Sequence, residues 1–254
     1  MKRQAAYLAA LASILLVWQV ASLFLPPYLL PGIPKTVTRL MTGLLQGELP
    51  AQVAPSFLRL GLGYSLGLLL GGFLGLLAGL SRTFGRYLRS LVSLLQSVPP
   101  ITWVPFLIIL FDFGSIPVVV VVAMATFFPM ALAVLNGTEG VNRTHIELAQ
   151  VMGASRWQVL TKVYLPEVMP VVITGAQVSF GNAYRNLIAA EMVSGASAGL
   201  GWTISYAGET ADMAGVLAGI LVVGASAALI DNLLLERAKR RLLHWRSAGG
   251  EQIG

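Results

Sequence analysis

The chain has 254 residues, 56% of them hydrophobic and only 11% charged, with a mean hydropathy of +0.76. Soluble domains carry about a quarter charged residues, so this composition points to lipid as the main solvent. The absence of cysteine excludes disulfides and Cys-ligated metals, His145 and His244 are too far apart for a metal motif, and the +6 charge lies in short flanks between apolar runs, so neither a metal nor a nucleic-acid partner is expected.

A helix crosses the hydrocarbon with roughly 20 apolar residues, since each rises about 1.5 Å. Residues 5–25 form the first such run. Lys2 and Arg3 precede it as in a secretory leader. The run exceeds the ~7–15 residues of a leader core, however, and no small-residue cleavage site follows, so a span is expected. Residues 28–55, punctuated by Pro and Gly, read as an external segment. Within it Val37, Leu40, Met41, Leu44 and Leu45 take helical spacing and predict a short interfacial helix over 35–46. The second span, 60–80, carries Gly63, Gly67, Gly71, Gly75 and Gly79. Residues four apart share a helix face, so these predict a smooth seam for another helix. The third run, 88–111, is interrupted by Pro99, Pro100 and Pro105, which remove helical donors and clash with the preceding turn. Carbonyls freed there either line a polar path or only shape a kink. Residues 116–135 form the fourth span.

The polar stretch 137–167 separates this span from the fifth. Thr144 with Glu147 three residues later has a capping-box pattern, predicting a short helix over 145–152 that Gly153 ends in a left-handed conformation. A second helical stretch, 155–164, leads to Leu165 and Pro166. Arg156 and Trp157 are candidate contacts for a partner, because Arg and aromatic side chains dominate many interface hot spots. The fifth span, 168–190, contains Gln177, Asn182, Arg185 and Asn186. A charge at mid-membrane is costly unless it faces protein or water. Either Arg185 faces a pathway beside Asn182 and Gln177 and favours anions, or it pairs with Glu191 or Asp112 and holds helices together. The sixth span, 213–235, precedes a basic stretch, 234–245, suited to orientation and to anionic headgroups.

Six spans place both termini on one side. If that side is cytoplasmic, the inside segments hold Lys2, Arg3, Arg82, Arg86, Arg89, Arg143, Arg156, Lys162, Arg237, Lys239, Arg240, Arg241 and Arg246. Only Lys35, Arg39, Arg59 and Arg185 are left elsewhere, which is the positive-inside pattern and puts 137–167 in the cytoplasm. No Gly-Lys dipeptide occurs, so the chain has no Walker A loop for ATP. No Ser/His/Asp arrangement or converging carboxylate pair is visible, and no catalytic residue is expected. A self-contained secondary transporter or channel with Arg185, Glu191 and Asp112 as its relay is the alternative, weakened by the lack of a visible inverted repeat.

Glu147, Leu148 and Ala149, then Gly153, then Val163, Tyr164, Leu165 and Pro166, resemble the EAA loop of binding-protein-dependent ABC importer permeases, with Leu148 and Val163 standing for the usual Ala and Ile. Further stretches are similar to the nitrate/sulfonate/taurine branch: Leu29 to Pro34, the prolines at 99–105, and Ala189, Ala190, Glu191 and Met192 followed by Gly199, Leu200 and Gly201. The resemblance implies an all-α, type I importer permease fold in a bacterial or archaeal cytoplasmic membrane. It implies that Glu147, Ala149, Gly153, Leu165 and Pro166 couple the chain to a separate ATPase, which binds ATP and magnesium, with Arg156 and Trp157 as the further candidate contacts named above. It also implies a second permease copy, two ATPase subunits, an extracytoplasmic binding protein and a small anionic or organic solute, with no cofactor on this chain.

Overall fold

Glycine sets the distance between the two central helices of the bundle. The computed structural model describes residues 2–230, all of whose regular structure is helical. The helices are α1 (Lys2–Phe24), α2 (Ile33–Leu45), α3 (Glu48–Leu80), α4 (Arg82–Gln96), α5 (Val104–Phe111), α6 (Ser115–Glu139), α7 (Arg143–Val151), α8 (Arg156–Val159), α9 (Leu165–Val193), α10 (Leu200–Glu209) and α11 (Met213–Ile230). Along α3 each glycine of the seam meets the α6 residue 59 positions later: Gly63 with Val122, Gly67 with Thr126, Gly71 with Met130, Gly75 with Val134 and Gly79 with Thr138. A methyl group on Gly63, Gly67, Gly71 or Gly75 would lie 2.6, 2.5, 2.9 or 2.7 Å from the carbonyl oxygen of Val119, Ala123, Phe127 or Ala131. The backbones therefore touch, in a geometry suited to weak Cα–H···O contacts between helices.

The fixed offset makes α3 and α6 parallel, and that orientation dictates what lies between them. The start of α6 is level with Arg59, whose Nε donates to Ser115 Oγ at 3.0 Å. From Arg59 to Leu80 α3 rises about 31 Å, so residues 81–114 must climb back the same distance. They do so as a broken pair: α4 covers the lower half, a 3₁₀ turn at Pro100–Trp103 follows, and α5 continues at 77° to α4. Pro99 and Pro100 cause the break, whereas Pro105 sits in the first turn of α5, where its missing N–H is harmless.

Antiparallel α9 fills the third side of the core, with Gly137 of α6 against Val168 and Val171, and Gly175 against Ala133. Tyr64 Oη of α3 donates to the Ala176 carbonyl at 2.8 Å. Leu60, Val104, Leu107, Val118, Val121, Val122, Ala183, Tyr184 and Leu187 bury the upper core, and Ala78, Leu88, Val92, Phe128, Ala131 and Leu135 the lower. Helix α11 pairs with α10 through Gly219 against Ile204 and is tied to α9 by Tyr184 Oη at Ser226.

Several boundaries differ from the sequence reading. Helix α3 starts at Glu48 rather than at 60, because Pro50 is tolerated in the first turn and Pro55 costs only one bond. Arg59 therefore lies inside the helix. The 28–55 segment holds α2 over Ile33–Leu45, with Val37, Met41, Leu44 and Leu45 exposed. Helix α10 was not foreseen. Among the described residues, helices α3, α6, the continuous 156–193 rod and α11 are long and apolar enough to cross a membrane, and the bent α4–α5 pair is a fifth when taken as one span; α1 adds the shorter apolar stretch Ala12–Phe24. Residues 231–235 of the expected sixth span and the basic 234–245 stretch lie outside the described residues.

The seam has a direct test. Gly67→Leu forces a side chain into the Ala123 carbonyl and Thr126, which backbone cannot yield cheaply, and should cost more than the ~1–3 kcal/mol typical of overpacking. Thermal unfolding in detergent should show its transition collapse. Gly61→Ala, which meets open space, should leave the transition unchanged or slightly higher.

Candidate functional site

Two features stand out at opposite ends of α9. At the lower end, the polar stretch between α6 and α9 folds into a fixed corner. Asn142, not Thr144, caps α7: its Oδ1 accepts the Thr144 N–H at 2.9 Å, and its own N–H donates to Glu167 at 3.2 Å. His145 lies 3.5 Å from the same carboxylate. The Thr144–Glu147 box is therefore absent. Helix α7 ends as expected at Gly153 (φ +81°): Gly153 N–H donates to the Gln150 carbonyl and Ala154 N–H to the Ala149 carbonyl, a Schellman motif. This explains the Ala149–Gly153 spacing physically. One residue later Ser155 opens α8 with a reciprocal box, in which Ser155 Oγ accepts the Gln158 N–H and Gln158 Oε1 accepts the Ser155 N–H.

Helix α8 does not end before the membrane. A π turn at Leu160–Tyr164 leads without a break into α9, giving one rod of 38 residues. Pro166 is its physical cause: with no N–H to give the Lys162 carbonyl, the turn widens and Leu165 N–H bonds the Leu160 carbonyl instead. Glu147 and Arg156 are exposed around the corner and make no side-chain bond among the described residues. Val151, Met152 and Trp157 are 86%, 80% and 71% exposed and Leu148 lies beside them, so an apolar knob projects from a polar segment.

At the upper end lies the only fully buried ion pair among the described residues. Arg59 Nη1 meets Glu191 Oε1 at 2.7 Å, and the Glu191 carboxylate also accepts Ser56 Oγ (2.8 Å) and the Gly201 N–H (2.9 Å). Ser56 Oγ accepts the Leu200 N–H, Gln52 Oε1 the Gly199 N–H, and Arg59 donates to the Ala198 carbonyl at 2.6 Å. A Cβ on Gly199 would sit 2.6 Å from the carboxylate, and one on Gly201 would strike the Ile188 carbonyl. The Glu191, Gly199 and Gly201 pattern is thus a carboxylate on which a loop is folded flat. The loop also reaches the α5–α6 turn, where Gly195 packs on Phe113 and Gly114 N–H donates to the Ser194 carbonyl. Sequence reasoning missed Arg59 because it sat in an assumed flank.

This pair corrects one expectation. Arg185 bonds neither Glu191 nor Asp112; its Nη2 donates to Asn182 Oδ1 at 2.7 Å. The proposed relay is not assembled, since Glu191 is committed to Arg59 and Asp112 occupies the α5–α6 turn at φ +63°. Gln177, Gly181 and Arg185 line, with Phe180, Tyr184 and Ala227, a groove of about 520 Å³ between α9 and α11. On the upper surface Arg39 joins α2 to Asp212 (2.9 Å) and Glu48 (3.1 Å). Burial pushes the Asp212 carboxyl up, but the Arg39 bond, the Gly215 N–H and the charges of Arg39 and Lys35 outweigh it and hold its pKa below the usual value. Among the described residues no cluster of His, Asp and Glu could hold a metal.

Residues 67–242 match the family described as binding-protein-dependent transport system inner membrane component. The chain is 34% identical to the taurine transport system permease protein of Escherichia coli over 90% of its own length and 84% of that protein's. It is 32% identical to a putative aliphatic sulfonates transport permease of Bacillus subtilis, over 68% of the chain and 62% of the relative. A bicarbonate transport system permease of Synechococcus elongatus is 26% identical over 62% of the chain and 57% of the relative.

The buried pair generates a prediction. Removing one partner leaves the other charge buried and alone, a loss of about 3–5 kcal/mol. Arg59→Met and Glu191→Leu should each lower the unfolding transition sharply, and the double variant should cost less than the two losses added. Equal additive losses would show that the two groups do not interact.

Proposed function

The chain belongs to the binding-protein-dependent transport system inner membrane component family, and on that premise we propose that it is the transmembrane subunit of an ATP-driven importer of a small anion. It is a multi-pass ABC transporter permease of the inner membrane and not an enzyme. The observation that carries the coupling role is the corner formed by α7 and α8. Its exposed Leu148, Val151, Met152 and Trp157 form an apolar knob with no cover among the described residues, held by a Schellman motif on one side and a capping box on the other. A groove on a separate ATPase is its partner, with Glu147 and Arg156 at the rim. Helices α8 and α9 form one rod of about 57 Å. A push on the corner thereby tilts α9 up to Glu191 and the loop folded on it.

The corner faces the cytoplasm in this reading, since Arg82, Arg86, Arg89, Arg143, Arg156 and Lys162 all flank the lower end while Lys35 and Arg39 lie at the upper. Both termini are then cytoplasmic. Taurine, aliphatic sulfonates and bicarbonate, for which relatives are named, each carry a compact anionic oxygen group. Arg185 suits such a group: it lies in the upper part of a membrane-crossing rod, eight residues before its end at Val193, exposed and facing a groove with Gln177, and Asn182 steadies it. A second copy of the chain covers that face and completes the pathway, two ATPase subunits bind ATP and magnesium below, and a binding protein delivers solute from above. ATP shifts the pathway between inward- and outward-open states only through its different affinity for the two.

Two experiments test these roles. Trp157→Asp should abolish co-purification of the ATPase while the permease still inserts and unfolds at the parent temperature; Gly153→Val, strained at φ +81°, should weaken it as well. Undiminished co-purification of both variants would exclude the corner as the contact. Arg185→Lys keeps the charge but loses the planar fork, and Arg185→Gln loses both. Both should assemble with the ATPase yet lower taurine or alkanesulfonate uptake at least tenfold, measured with labelled solute. Loss of assembly instead would make Arg185 a structural residue.

A further inference from the structure

Helix α4 has three faces that meet three different surroundings. Gly85, Leu88 and Val92 are buried against Ala78, Phe128, Ala131 and Leu135. Tyr87, Leu91 and Leu94 form a second, exposed apolar face. The remaining arc presents Thr83, Arg86, Ser90, Ser93 and, just past the helix, Ser97, all exposed. At about 100° per residue these five fall within roughly 80° of one another.

The depth of this arc follows from its packing. Gly85 lies against Ala78 and Leu135, while Leu88 and Val92 pack into the same cluster as Phe128 and Ala131, near the middle of α6. The arc therefore rises about 21 Å, from the cytoplasmic end of the bundle to near its centre, where Pro99 and Pro100 turn the chain. Hydroxyls facing hydrocarbon normally return to their own helix backbone; Ser97, just past the helix end, bonds the Leu94 carbonyl at 2.6 Å. Ser90 and Ser93 make no hydrogen bond among the described residues. Arg89 at the edge of the arc is paired with Glu139 (2.6 Å) and hydrogen-bonded to the neutral Asn136 (2.8 Å), whereas Arg86, among the described residues, hydrogen-bonds only the Arg82 carbonyl of its own helix. No acidic residue occurs in Arg82–Gln96. Lipid does not solvate such a face, and a dry helix seam would pair these groups.

We propose that the α4 arc of Thr83, Arg86, Ser90, Ser93 and Ser97 lines the inner half of the solute pathway as a water-filled, anion-selective exit. The proposal deepens the importer reading and rests on it. Short hydroxyl side chains leave room and offer hydrogen bonds, and Arg86, with no acidic partner among the described residues, raises the local concentration of anions while repelling cations. The residue sets the sign of what passes; the hydroxyls replace part of the hydration shell.

The natural absence of cysteine makes the test direct. Ser90→Cys, Ser93→Cys and Ser97→Cys are placed singly in the chain co-expressed with its ATPase, with Leu91→Cys and Leu94→Cys as apolar-face controls and free β-mercaptoethanol in solution as the reference thiol. Inside-out membrane vesicles are treated with the anionic sulfonatoethyl or the cationic trimethylammonioethyl methanethiosulfonate. The three arc positions should react much faster than Leu91→Cys or Leu94→Cys. Their preference for the anionic reagent should exceed that of β-mercaptoethanol by about tenfold, and adding Arg86→Gln should abolish the excess. Arc positions as unreactive as the apolar face would overturn the proposal. So would a preference equal to that of β-mercaptoethanol, or a spontaneous Ser93→Cys disulfide between two copies that excludes both reagents. Co-purification of the ATPase with the parent chain is scored alongside, so failure of the arc and failure of the importer reading are told apart.

Discussion

Backbone contact between α3 and α6 is the constraint from which the rest of the bundle follows. Five glycines at four-residue spacing bring α3 within touching distance of the α6 carbonyls, and only parallel helices in constant register can do this along the whole seam. Parallel neighbours require a return crossing, which is why a proline-broken pair lies between them. The same register lifts Ser115 to the level of Arg59 and lays α4 along the lower half of the seam. A dispersion-driven seam is also the form of attraction available in lipid, where apolar side chains gain nothing by leaving solvent.

Against this fixed pair, α9 is built to move as one piece or not at all. Its lower end merges through a π turn with α8, and its upper end carries the carboxylate that gathers α3 and the loop before α10. The ion pair contributes little net stability against an apolar equivalent, because desolvating Arg59 and Glu191 offsets most of their attraction. What it supplies is definition. With Ser56, Gln52 and two glycines it leaves the loop one way to lie.

Much of this was legible in the residues, and the parts that were not share a cause. Hydropathy located the apolar runs, four-residue spacing revealed the glycine seam, and the place of Gly153 after a polar helix foretold its left-handed turn. Each of these depends on neighbours along the chain. Arg59 and Glu191 depend on each other across 132 positions, which no window sees, and Arg59 looked like a flanking charge until its partner was known. Prolines misled in both directions. Pro50 and Pro55 suggested a loop where α3 runs on, while Pro166 gave no hint of the π turn, since a proline reports a missing donor and not how the chain adapts. Asn142 outcompeted Thr144 as a cap because Glu167, far along the chain, anchors its backbone.

The offset of 59 residues along the glycine seam also sets an order of assembly. When α3 has entered the bilayer, the carbonyls that its glycines fit do not yet exist. At ~5–20 residues per second they follow roughly 3–12 s later, after both halves of the broken pair have been made. For that interval α3 stands in lipid with a bare groove along one side, apolar enough to remain inserted but without its match. An unrelated helix with small residues fits the same groove. Correct biogenesis of this permease is thus a matter of timing as much as of affinity.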